Sequence, residues 1–451
     1  MRSFMTDDLQ EQAIKDLQLM VACPSYCDEE HAEEGAPFGP GIAKCLDTTL
    51  DIFEKNGFST YKDPKGYYGY AEIGEGTETL AVLCHLDVVP AGDLADWNTD
   101  PFKATLIDGN LALVGRGVQD DKGPTMMALY ALKAVTEGTG LVPNKKIRFI
   151  FGTDEETLWR CMDHYNAEQP QADMGFAPDA DFPLIYAEKG LLQAEMVGPK
   201  VTDYTVTGGS ALNVVPNKAQ YIGPKAKEVA QALEKLGYDY KQVDDSTIEV
   251  YGKAVHSKDA PEGINAITRL AEALATIYDD PMIQLLGKTV KADANGVTLV
   301  GDVEDEVSGK LTFNIATIQC DANGSKVGID LRIPVTVDKD ELVHRLSEKL
   351  EANGLEYSEV DYVASLYVPQ DSTLVKNLLE VYRDYTGDME EPLVSGGATF
   401  ARTMNNCVAF GPFFPYSDNT EHQANETLDL KEMRQAMDIY AEAFYRLAFK
   451  E

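Results

Sequence analysis

The first part of the chain alternates continuous apolar runs with segments whose apolar residues recur at helical spacing. Residues 79–89, TLAVLCHLDVV, form a nearly unbroken apolar run, as expected of a strand buried on both faces of a sheet. Residues 123–135 show helical spacing, 145–153 a second strand pattern and 157–169 a second helical pattern, before the chain becomes extended over 174–190. Strands that alternate with helices predict an α/β domain with a mostly parallel sheet flanked by helices.

The pattern changes near residue 188, where the strands become shorter and more polar. Residues 226–243 and 339–360 are two loosely similar segments, each an amphipathic helix followed by a strand. We interpret this region as an inserted α+β domain, and the likeness favours two similar halves within it. Two long amphipathic helices, 372–387 and 430–449, then return to the first domain. The predicted division is residues 1–187 and 368–451 for the first domain and residues 188–367 for the inserted domain.

The strongly acidic charge of the chain limits its partners. Its 451 residues include 39 Lys and Arg against 75 Asp and Glu, which gives a formal net charge of −36. Such a surface argues against nucleic acid or an anionic membrane as a partner. The first 20 residues contain early acids and no uninterrupted apolar segment, and the seven cysteines show no CxxC spacing. These features predict a cytoplasmic protein with reduced thiols and neither a membrane span nor a secretion signal.

His85 and Asp87 lie two residues apart in the segment HLDVVPAGD. Two such residues on a strand point to the same face, so Asp87 can accept one imidazole N–H and leave the other nitrogen for a metal ion. A strand-end histidine that is satisfied locally by an aspartate explains a lone pair of this kind more simply.

Acidic pairs occur in two further turns. Asp120 and Asp121 lie in GRGVQDDKGP just before a helical segment, where helix capping and the helix dipole account for one acid. Glu155 and Glu156 lie in FGTDEET at the end of a predicted strand, where both side chains can reach a site above the sheet. Thr153 and Glu156 also match a capping box, which leaves Glu155 unexplained.

Two more candidates follow strand-like segments. Asp179 lies in APDAD, and His422 lies in the polar loop YSDNTEHQANE that follows CVAFGPFFP. Of the six histidines, His31, His164 and His344 fall in apparent surface positions, where we expect them to be solvated.

These motifs together resemble one known family. HLDVVPAGD, GRGVQDDKGP, GTDEET, APDAD and NTEH occur in the order found in the M20 family of co-catalytic metallopeptidases, and they are most similar to its bacterial dipeptidases of the PepV type. GGSALNVVPNKA, GKAVHSKDAPEGINAI and SGGATFAR resemble the lid-domain and closing motifs of that branch. The resemblance covers most of the chain.

The resemblance implies a pair of divalent metal ions, with zinc as the first expectation and manganese or cobalt as alternatives that suit the same ligands. It assigns His85 and Asp179 to one ion, Glu156 and His422 to the other, and Asp120 to both. It also implies two supporting roles: Asp87 orients the first histidine, and Glu155 is the general base toward a metal-activated water.

The resemblance also implies roles for the inserted domain. His256 would stabilise the oxyanion, and Arg332 would hold the C-terminal carboxylate of the substrate together with Asn213 and the backbone around Gly396 and Gly397. An enlarged lid of this type implies a monomer rather than a dimer and restricts substrates to short peptides.

The function that follows is a cytoplasmic dipeptidase acting on unblocked dipeptides and short peptides. Two alternative functions stay open. One is an N-acetyl or N-succinyl amino acid deacylase with the same metal centre, and the other is a non-catalytic acidic protein that binds divalent ions or peptides. A cysteine hydrolase is disfavoured, because none of the seven cysteines lies in a recognisable nucleophile motif.

Overall fold

The computed structural model describes residues 3–449 and divides them into two compact units. The main unit contains the described residues up to 186, residues 367–393 and those from 399 onward, and the inserted unit contains 187–366 and 394–398. The sequence-based division differs from this one chiefly at residues 394–398, which cluster with the inserted unit.

The first part of the main unit contains four α-helices and nine strands within its described residues. The helices are α1 Asp7–Val21, α2 Pro40–Lys55, α3 Lys122–Thr139 and α4 Arg160–Glu168. The strands are β1 Ser59–Lys62, β2 Tyr68–Ile73, β3 Thr79–His85, β4 Thr105–Ile107, β5 Ala112–Val114, β6 Lys146–Gly152, β7 Met174–Ala177, β8 Ala180–Asp181 and β9 Ile185–Glu188, the last of which crosses into the inserted unit.

The inserted unit continues with antiparallel strands and shorter helices. Its strands are β10 Gly190–Gly198, β11 Thr205–Gly208, β12 Lys218–Ile222, β13 Tyr240–Gln242, β14 Thr247–Tyr251, β15 Glu304–Asp305, β16 Gly309–Lys310, β17 Thr312–Asp321, β18 Gly324–Ile333 and β19 Glu356–Val363. Its helices are α5 Ala226–Leu236, α6 Ala266–Leu274, α7 Pro281–Gln284, α8 Val297–Val300 and α9 Lys339–Glu351, with a π-helical turn over Leu285–Val290.

The last part of the chain completes the main unit. Its helices are α10 Thr373–Thr386 and α11 Leu430–Ala448. Its strands are β20 Leu366–Tyr367, β21 Leu393–Ser395, β22 Cys407–Ala409, β23 Pro412–Phe413 and β24 Thr427–Asp429, of which β20 and β21 lie at the boundary between the units.

The sheet of the main unit is parallel in the middle and antiparallel toward its edges. Its strand order is β1-β2-β6-β3-β7-β22-β9-β20, with β21 paired to β9. Strand β3 pairs in parallel with both β6 and β7, and β22 pairs in parallel with β7. The carboxyl ends of these central strands therefore meet at one edge, which is where α/β sheets place their sites.

Apolar runs form the buried layers of the main unit, as their patterns predict. Strands β3 and β6 are buried at every position after their first residue. Helix α3 is buried on all sides over its first eleven residues and packs against β3, α1 and α11. Helix α11 begins at Leu430 and is capped by Asp429, whose carboxylate accepts the backbone N–H groups of Lys431 and Glu432.

The strands of the inserted unit form one eight-stranded antiparallel sheet with its own core, apart from β15 and β16, which pair only with each other. Its strand order is β13-β14-β12-β11-β17-β18-β10-β19. Helices α5, α6 and α9 bury their apolar sides in a core that includes Val229, Leu270, Phe313 and Leu346. The two similar segments seen in the sequence become α5–β13 and α9–β19, and their strands form opposite edges of this sheet.

Between residues 3 and 449, no helix has both the length and the apolar character needed to cross a bilayer.

Candidate metal centre

Three neighbouring strand ends deliver the candidate residues of the main unit. His85 is the last residue of β3, Glu155 and Glu156 follow the end of β6, and Asp179 follows the end of β7. Because these strands run in parallel, the four side chains leave the sheet at the same edge. Asp120 joins them from the turn that precedes α3.

His85, Asp120 and Asp179 form one group with metal-ligand character. Each residue offers a ligand atom, and these atoms all lie within 4.8 Å of one another. Nε2 of His85 lies 2.7 Å from Oδ1 of Asp120 and 3.7 Å from Oδ2 of Asp179. The imidazole is buried, and both carboxylates are mostly shielded from solvent.

Asp120, Glu156 and His422 form a second group of the same kind, again with ligand atoms within 4.8 Å of one another. Nε2 of His422 lies 2.9 Å from Oδ2 of Asp120 and 3.2 Å from Oε2 of Glu156. One oxygen of Asp120 thus faces the first group and the other faces the second. The five side chains predicted as ligands lie together, with Asp120 between the two histidines.

The donor set fits a pair of divalent ions. Nε2 of His85 and Oε1 of Glu156 are buried and have no hydrogen-bond partner within residues 3–449. Nε2 of His85 lies 2.7 Å from Oδ1 of Asp120, but the two groups are not aligned as a hydrogen bond requires. Three carboxylates in so small a volume repel one another unless positive charge lies between them. Two imidazoles and three carboxylates are ligands that zinc, manganese and cobalt accept.

The pKa values in this cluster are shifted by burial and by close neighbours. Burial raises the pKa of the Glu155 carboxyl well above its usual range and also raises that of Glu156. Burial acts in the same direction on Asp120, but His85 and His422 outweigh it and lower the pKa of that carboxyl. Hydrogen bonds to Asp120 and Glu156 raise the pKa of His422 to about 11. The carboxylates of Asp120 and Glu156 therefore favour a positive charge beside them.

The orientation of His85 differs in detail from the sequence-based expectation. Its Nδ1 faces the main-chain carbonyl oxygen of Asp87 at 2.9 Å, whereas the nearer carboxylate oxygen of Asp87 lies 3.6 Å away. The other carboxylate oxygen of Asp87 accepts the backbone N–H of Glu156 at 2.9 Å. The backbone of Asp87 thus fixes the imidazole, and its carboxylate fixes the loop that carries Glu156.

Helix capping does not explain the pair of aspartates. Asp121 occupies the N-cap position of α3 but makes no side-chain capping bond. Its Oδ2 instead accepts the backbone N–H of His85 at 3.0 Å. Gly123 follows in the first turn, where a Cβ atom would lie 1.9 Å from the carbonyl oxygen of Val118, so only glycine fits there. The turn is shaped around the site rather than around the helix end.

The capping-box interpretation of Thr153 and Glu156 is wrong. The Thr153 hydroxyl donates to the carbonyl oxygen of Tyr67, and α4 begins only at Arg160. The carboxylate of Glu155 has no hydrogen bond or ion pair with any residue between 3 and 449. It therefore remains available beside the two ligand groups.

The inserted unit brings two of its candidate residues onto adjacent loops. Ser257, next to His256, donates its backbone N–H to the carbonyl oxygen of Asn213 at 2.9 Å, and Val214 forms a β-bridge with His256. Nδ1 of His256 accepts the backbone N–H of Lys258 at 3.1 Å. The side chains of Asn213 and His256 are both exposed within the unit.

Arg332 is buried and already paired inside the inserted unit. It forms a two-pronged contact with the Asp330 carboxylate, at 2.8 Å from Nε and 3.0 Å from Nη2, and its Nη1 donates to the carbonyl oxygen of Gly396 at 2.9 Å. Asp330 therefore accounts for a cation that the sequence left unexplained. Gly396 packs closely on Lys258, because a Cβ atom added to Gly396 would lie 2.8 Å from the Cβ of Lys258. The backbone N–H of Gly397 donates to the Ser395 hydroxyl.

A model of peptidase family M20/M25/M40 matches residues 81–446. The chain belongs to this family. Two relatives described as a "putative dipeptidase" extend the match: YtjP of Bacillus subtilis is 37% identical over 460 residues, which cover 97% of each chain. A Staphylococcus aureus USA300 protein is 34% identical over 466 residues, which cover 98% of each. The sequence-based assignment to a peptidase of the M20 family is confirmed.

Solved structures of the family share the fold. A metallo-carboxypeptidase from Sulfolobus solfataricus aligns with a TM-score of 0.58 and 20% identity, over 97% of this chain and 99% of that one. An aminoacylhistidine dipeptidase from Vibrio alginolyticus aligns with a TM-score of 0.60 and 14% identity over 96% of each chain. The predicted α/β architecture with an inserted α+β domain is confirmed.

Sequence reasoning missed several polar residues that contact the candidate residues or the turns that carry them. Asp330 lies two positions before Arg332 on the same strand, a spacing that places both on one face and could have revealed the pair. Glu426 and Arg116 lie within the quoted motifs, yet nothing in their spacing shows that they meet. They form a buried ion pair of 2.8 Å beside the Asp120 turn.

Proposed function

We propose that the chain is a di-metal dipeptidase that hydrolyses the amide bond of unblocked dipeptides and short peptides. The observation that carries this proposal is the shared carboxylate of Asp120 between two ligand groups, next to the unpaired carboxylate of Glu155. The description of relatives that match almost the whole chain supports the choice of substrate.

His85 and Asp179 would hold one ion, Glu156 and His422 the other, and Asp120 both, with zinc as the first expectation and manganese or cobalt as alternatives. Two divalent ions held by these residues would supply a water acidified to near neutral pH and would polarise the scissile carbonyl.

Glu155 would move the proton. Its carboxylate lies beside the ligands, and burial raises its pKa, which makes it a stronger proton acceptor. It removes a proton from the attacking water and then delivers that proton to the departing amine nitrogen.

His256 would stabilise the negative charge that develops on the carbonyl oxygen. Because Nδ1 accepts a backbone N–H, the proton of the neutral imidazole lies on Nε2, which is thereby a hydrogen-bond donor. The His256 ring is exposed only in part. Its partial desolvation, followed by the positive charge of Arg332, lowers its pKa and keeps the ring neutral. Such a preorganised donor lowers the barrier to acyl transfer.

Arg332 would bind the C-terminal carboxylate of the substrate, together with Asn213 and the backbone at Gly396 and Gly397. Asp330 and the Gly396 carbonyl take three of the five guanidinium N–H groups, which leaves two for a carboxylate. Asp330 also holds the guanidinium in one orientation, as recognition of a planar group requires.

A substrate panel tests this function. Purified protein, dialysed and then supplied with zinc, manganese or cobalt, is expected to cleave Xaa-Ala dipeptides and to leave N-acetyl and N-succinyl amino acids intact. Cleavage of the acylated amino acids alone would identify a deacylase. Metal binding without hydrolysis of either class would identify a binding protein.

Replacing Glu155 separates catalysis from metal binding. Glu155→Ala is expected to bind the same two equivalents of metal, because the carboxylate is not a member of either ligand group. Its turnover should fall about 10²- to 10⁴-fold, the usual contribution of a general acid–base group. Elemental analysis and dipeptide hydrolysis measure the two properties, and unchanged turnover would rule out the proton-transfer role.

A further inference from the structure

Glu426 is a fully buried carboxylate that receives several donors from one turn. Its Oε2 accepts from Nη1 of Arg116 at 2.8 Å and from the backbone N–H of Gly117 at 3.0 Å. Its Oε1 accepts the backbone N–H groups of Gln119 at 2.7 Å and Asp120 at 3.3 Å. The backbone that carries Asp120 is thus wrapped around a single carboxylate from a distant part of the chain.

The loop that carries His422 is tied to the same place. The carbonyl oxygen of Glu426 accepts the backbone N–H of Gly115 at 3.0 Å. The side chain of Gln119 donates to the carbonyl oxygen of Asp418 at 2.9 Å and accepts the N–H and hydroxyl of Thr420 at 2.9 and 2.8 Å. Positions on both sides of His422 are therefore joined to the turn of Asp120.

Arg116 extends these connections to a third loop. Its Nη2 lies 3.5 Å from the carbonyl oxygen of Pro90, in the segment that follows His85 and Asp87, and its guanidinium lies 5.3 Å from the centre of the Trp97 ring. Loops that carry ligands of both groups thus converge on one buried ion pair.

We propose that Glu426, with Arg116, is a positioning residue that sets the spacing between the two ligand groups by holding the Asp120 turn against the His85 and His422 loops. This inference rests on the proposed metal site. Glu426 touches neither metal nor substrate in this role, and it acts through the backbone of the residue that both ions would share.

The chemistry at this position favours a carboxylate. Both oxygens of Glu426 face donors, three of them backbone N–H groups and one a guanidinium. In a glutamine, whichever way the amide were turned, its NH₂ group would point at at least one of these donors. A buried donor facing a donor leaves both unsatisfied, so Glu426→Gln disturbs the turn while it preserves the side-chain volume.

The test is metal affinity measured on the full-length protein. Wild type and Glu426→Gln are stripped of metal, and zinc binding is followed by calorimetry with a competing chelator. We expect about a 10- to 100-fold rise in the zinc dissociation constant, the usual effect of removing a residue that orients metal ligands. The visible absorption of the cobalt-loaded protein is expected to change, because the ligand spacing changes.

Glu442→Gln is the matched control. Glu442 is also a buried carboxylate in the main unit, and its Oε1 accepts a hydrogen bond from Arg446 at 2.8 Å rather than from any ligand loop. This variant is expected to keep wild-type zinc affinity and cobalt absorption. An equal loss of affinity in both variants would mean that general destabilisation is responsible, and would overturn the positioning role.

Arg116→Lys covers the case in which Glu426→Gln fails to fold. Lysine keeps the charge but cannot reach both the Glu426 carboxylate and the Pro90 carbonyl, so a smaller loss of affinity in the same direction is expected. Wild-type affinity in the folded variants would overturn the inference while the dipeptidase proposal stands. A wild-type protein that binds no metal would overturn both.

Discussion

The two ring nitrogens of His256 have different surroundings. Nδ1 accepts the backbone N–H of Lys258, and Nε2 is the nitrogen left to donate. A glutamine at this position also carries a terminal N–H donor, whereas an alanine carries none. The two substitutions therefore separate the loss of a hydrogen bond from the loss of a side chain.

We expect His256→Ala to lower kcat about 10²- to 10³-fold, the usual effect of removing one oxyanion donor. His256→Gln should recover part of this loss, and both variants should retain wild-type metal content, since His256 belongs to neither ligand group. Steady-state hydrolysis of a dipeptide is the measurement. His344→Ala, which removes an exposed histidine of the same unit, is the control. A kcat within twofold of wild type in His256→Ala would exclude the donor role.

At the residue scale, motif order predicted which side chains meet, but not how each is held. The five proposed ligands could be named because each lies at a strand end or turn in a recognisable motif. The contact of His85 with the backbone of Asp87 was missed, since alternation along a strand no longer applies where the strand ends. Glu426 was missed because its other donors are backbone N–H groups and its one charged partner, Arg116, lies 310 residues away.

Among the loops of the inserted unit, two depend on one buried amide. The side-chain nitrogen of Asn314, in β17, donates to the carbonyl oxygens of Leu212 and Val214 at 3.2 and 2.9 Å and contacts the Ser257 hydroxyl at 2.9 Å. Since carbonyl oxygens only accept, the NH₂ group of Asn314 must face these loops. The amide thus joins the loop of Asn213 to that of His256.

Asn314→Asp is expected to destabilise the inserted unit more than Asn314→Ala. Aspartate places an oxygen against two carbonyl oxygens, and each buried group left unsatisfied costs about 1–3 kcal/mol. Urea unfolding followed by fluorescence measures the difference. Asn353→Asp is the control: Asn353 is exposed and donates to the Lys349 carbonyl, so a change below about 0.5 kcal/mol is expected. Equal stability of the two Asn314 variants would contradict this account.

At the element scale, hydrophobic periodicity found the helices and strands and misplaced some of their ends. The strand predicted over 79–89 ends at His85, because the backbone of Val88 leaves the sheet and donates to the Ser25 carbonyl. The helix predicted from residue 157 begins at Arg160, because the Asp154 carboxylate accepts from Arg160 and holds a turn before it. Both shifts come from single polar contacts, which periodicity does not register.

For the whole molecule, one of the two edges of the inserted sheet bears on oligomeric state. Strand β19 forms that edge, and Glu356, Glu359, Val360 and Asp361 on it are exposed. Charged edge residues oppose pairing with a second sheet, and the net charge of −36 adds a general repulsion.

We therefore expect a monomer in light scattering at physiological salt. Asp361→Val, which removes one charge beside Val360, should promote association at high protein concentration. A stable wild-type dimer at micromolar concentration would contradict this expectation.

The division of the chain into units was only partly accessible to sequence reasoning. The change of strand character near residue 188 lies close to the boundary at Ala187. Residues 394–398 group with the inserted unit although they lie far outside the 188–367 range. No composition change marks so short a segment, and its placement depends on contacts such as that of Gly396 with Arg332.

The two units should respond differently to metal, because all five proposed ligands belong to the main unit. A ligand present at about 100 times its Kd stabilises the folded state by about 2.7 kcal/mol, and it protects most strongly the segments that open to release it. Hydrogen exchange of the zinc-loaded and chelator-treated protein should therefore differ at residues 84–90, 117–124, 153–158 and 418–424. Helix α5, in the inserted unit, should exchange at the same rate in both states.

The His422→Ala variant is the control for this measurement. It removes one ligand of the second group, so zinc should protect residues 418–424 much less in this variant, while protection of 84–90 by an ion in the first group is retained. If zinc protected α5 as strongly as the ligand loops, stabilisation would be global and the ligand assignment would lose its support. If zinc changed exchange nowhere in the wild type, the five residues would not form a metal centre.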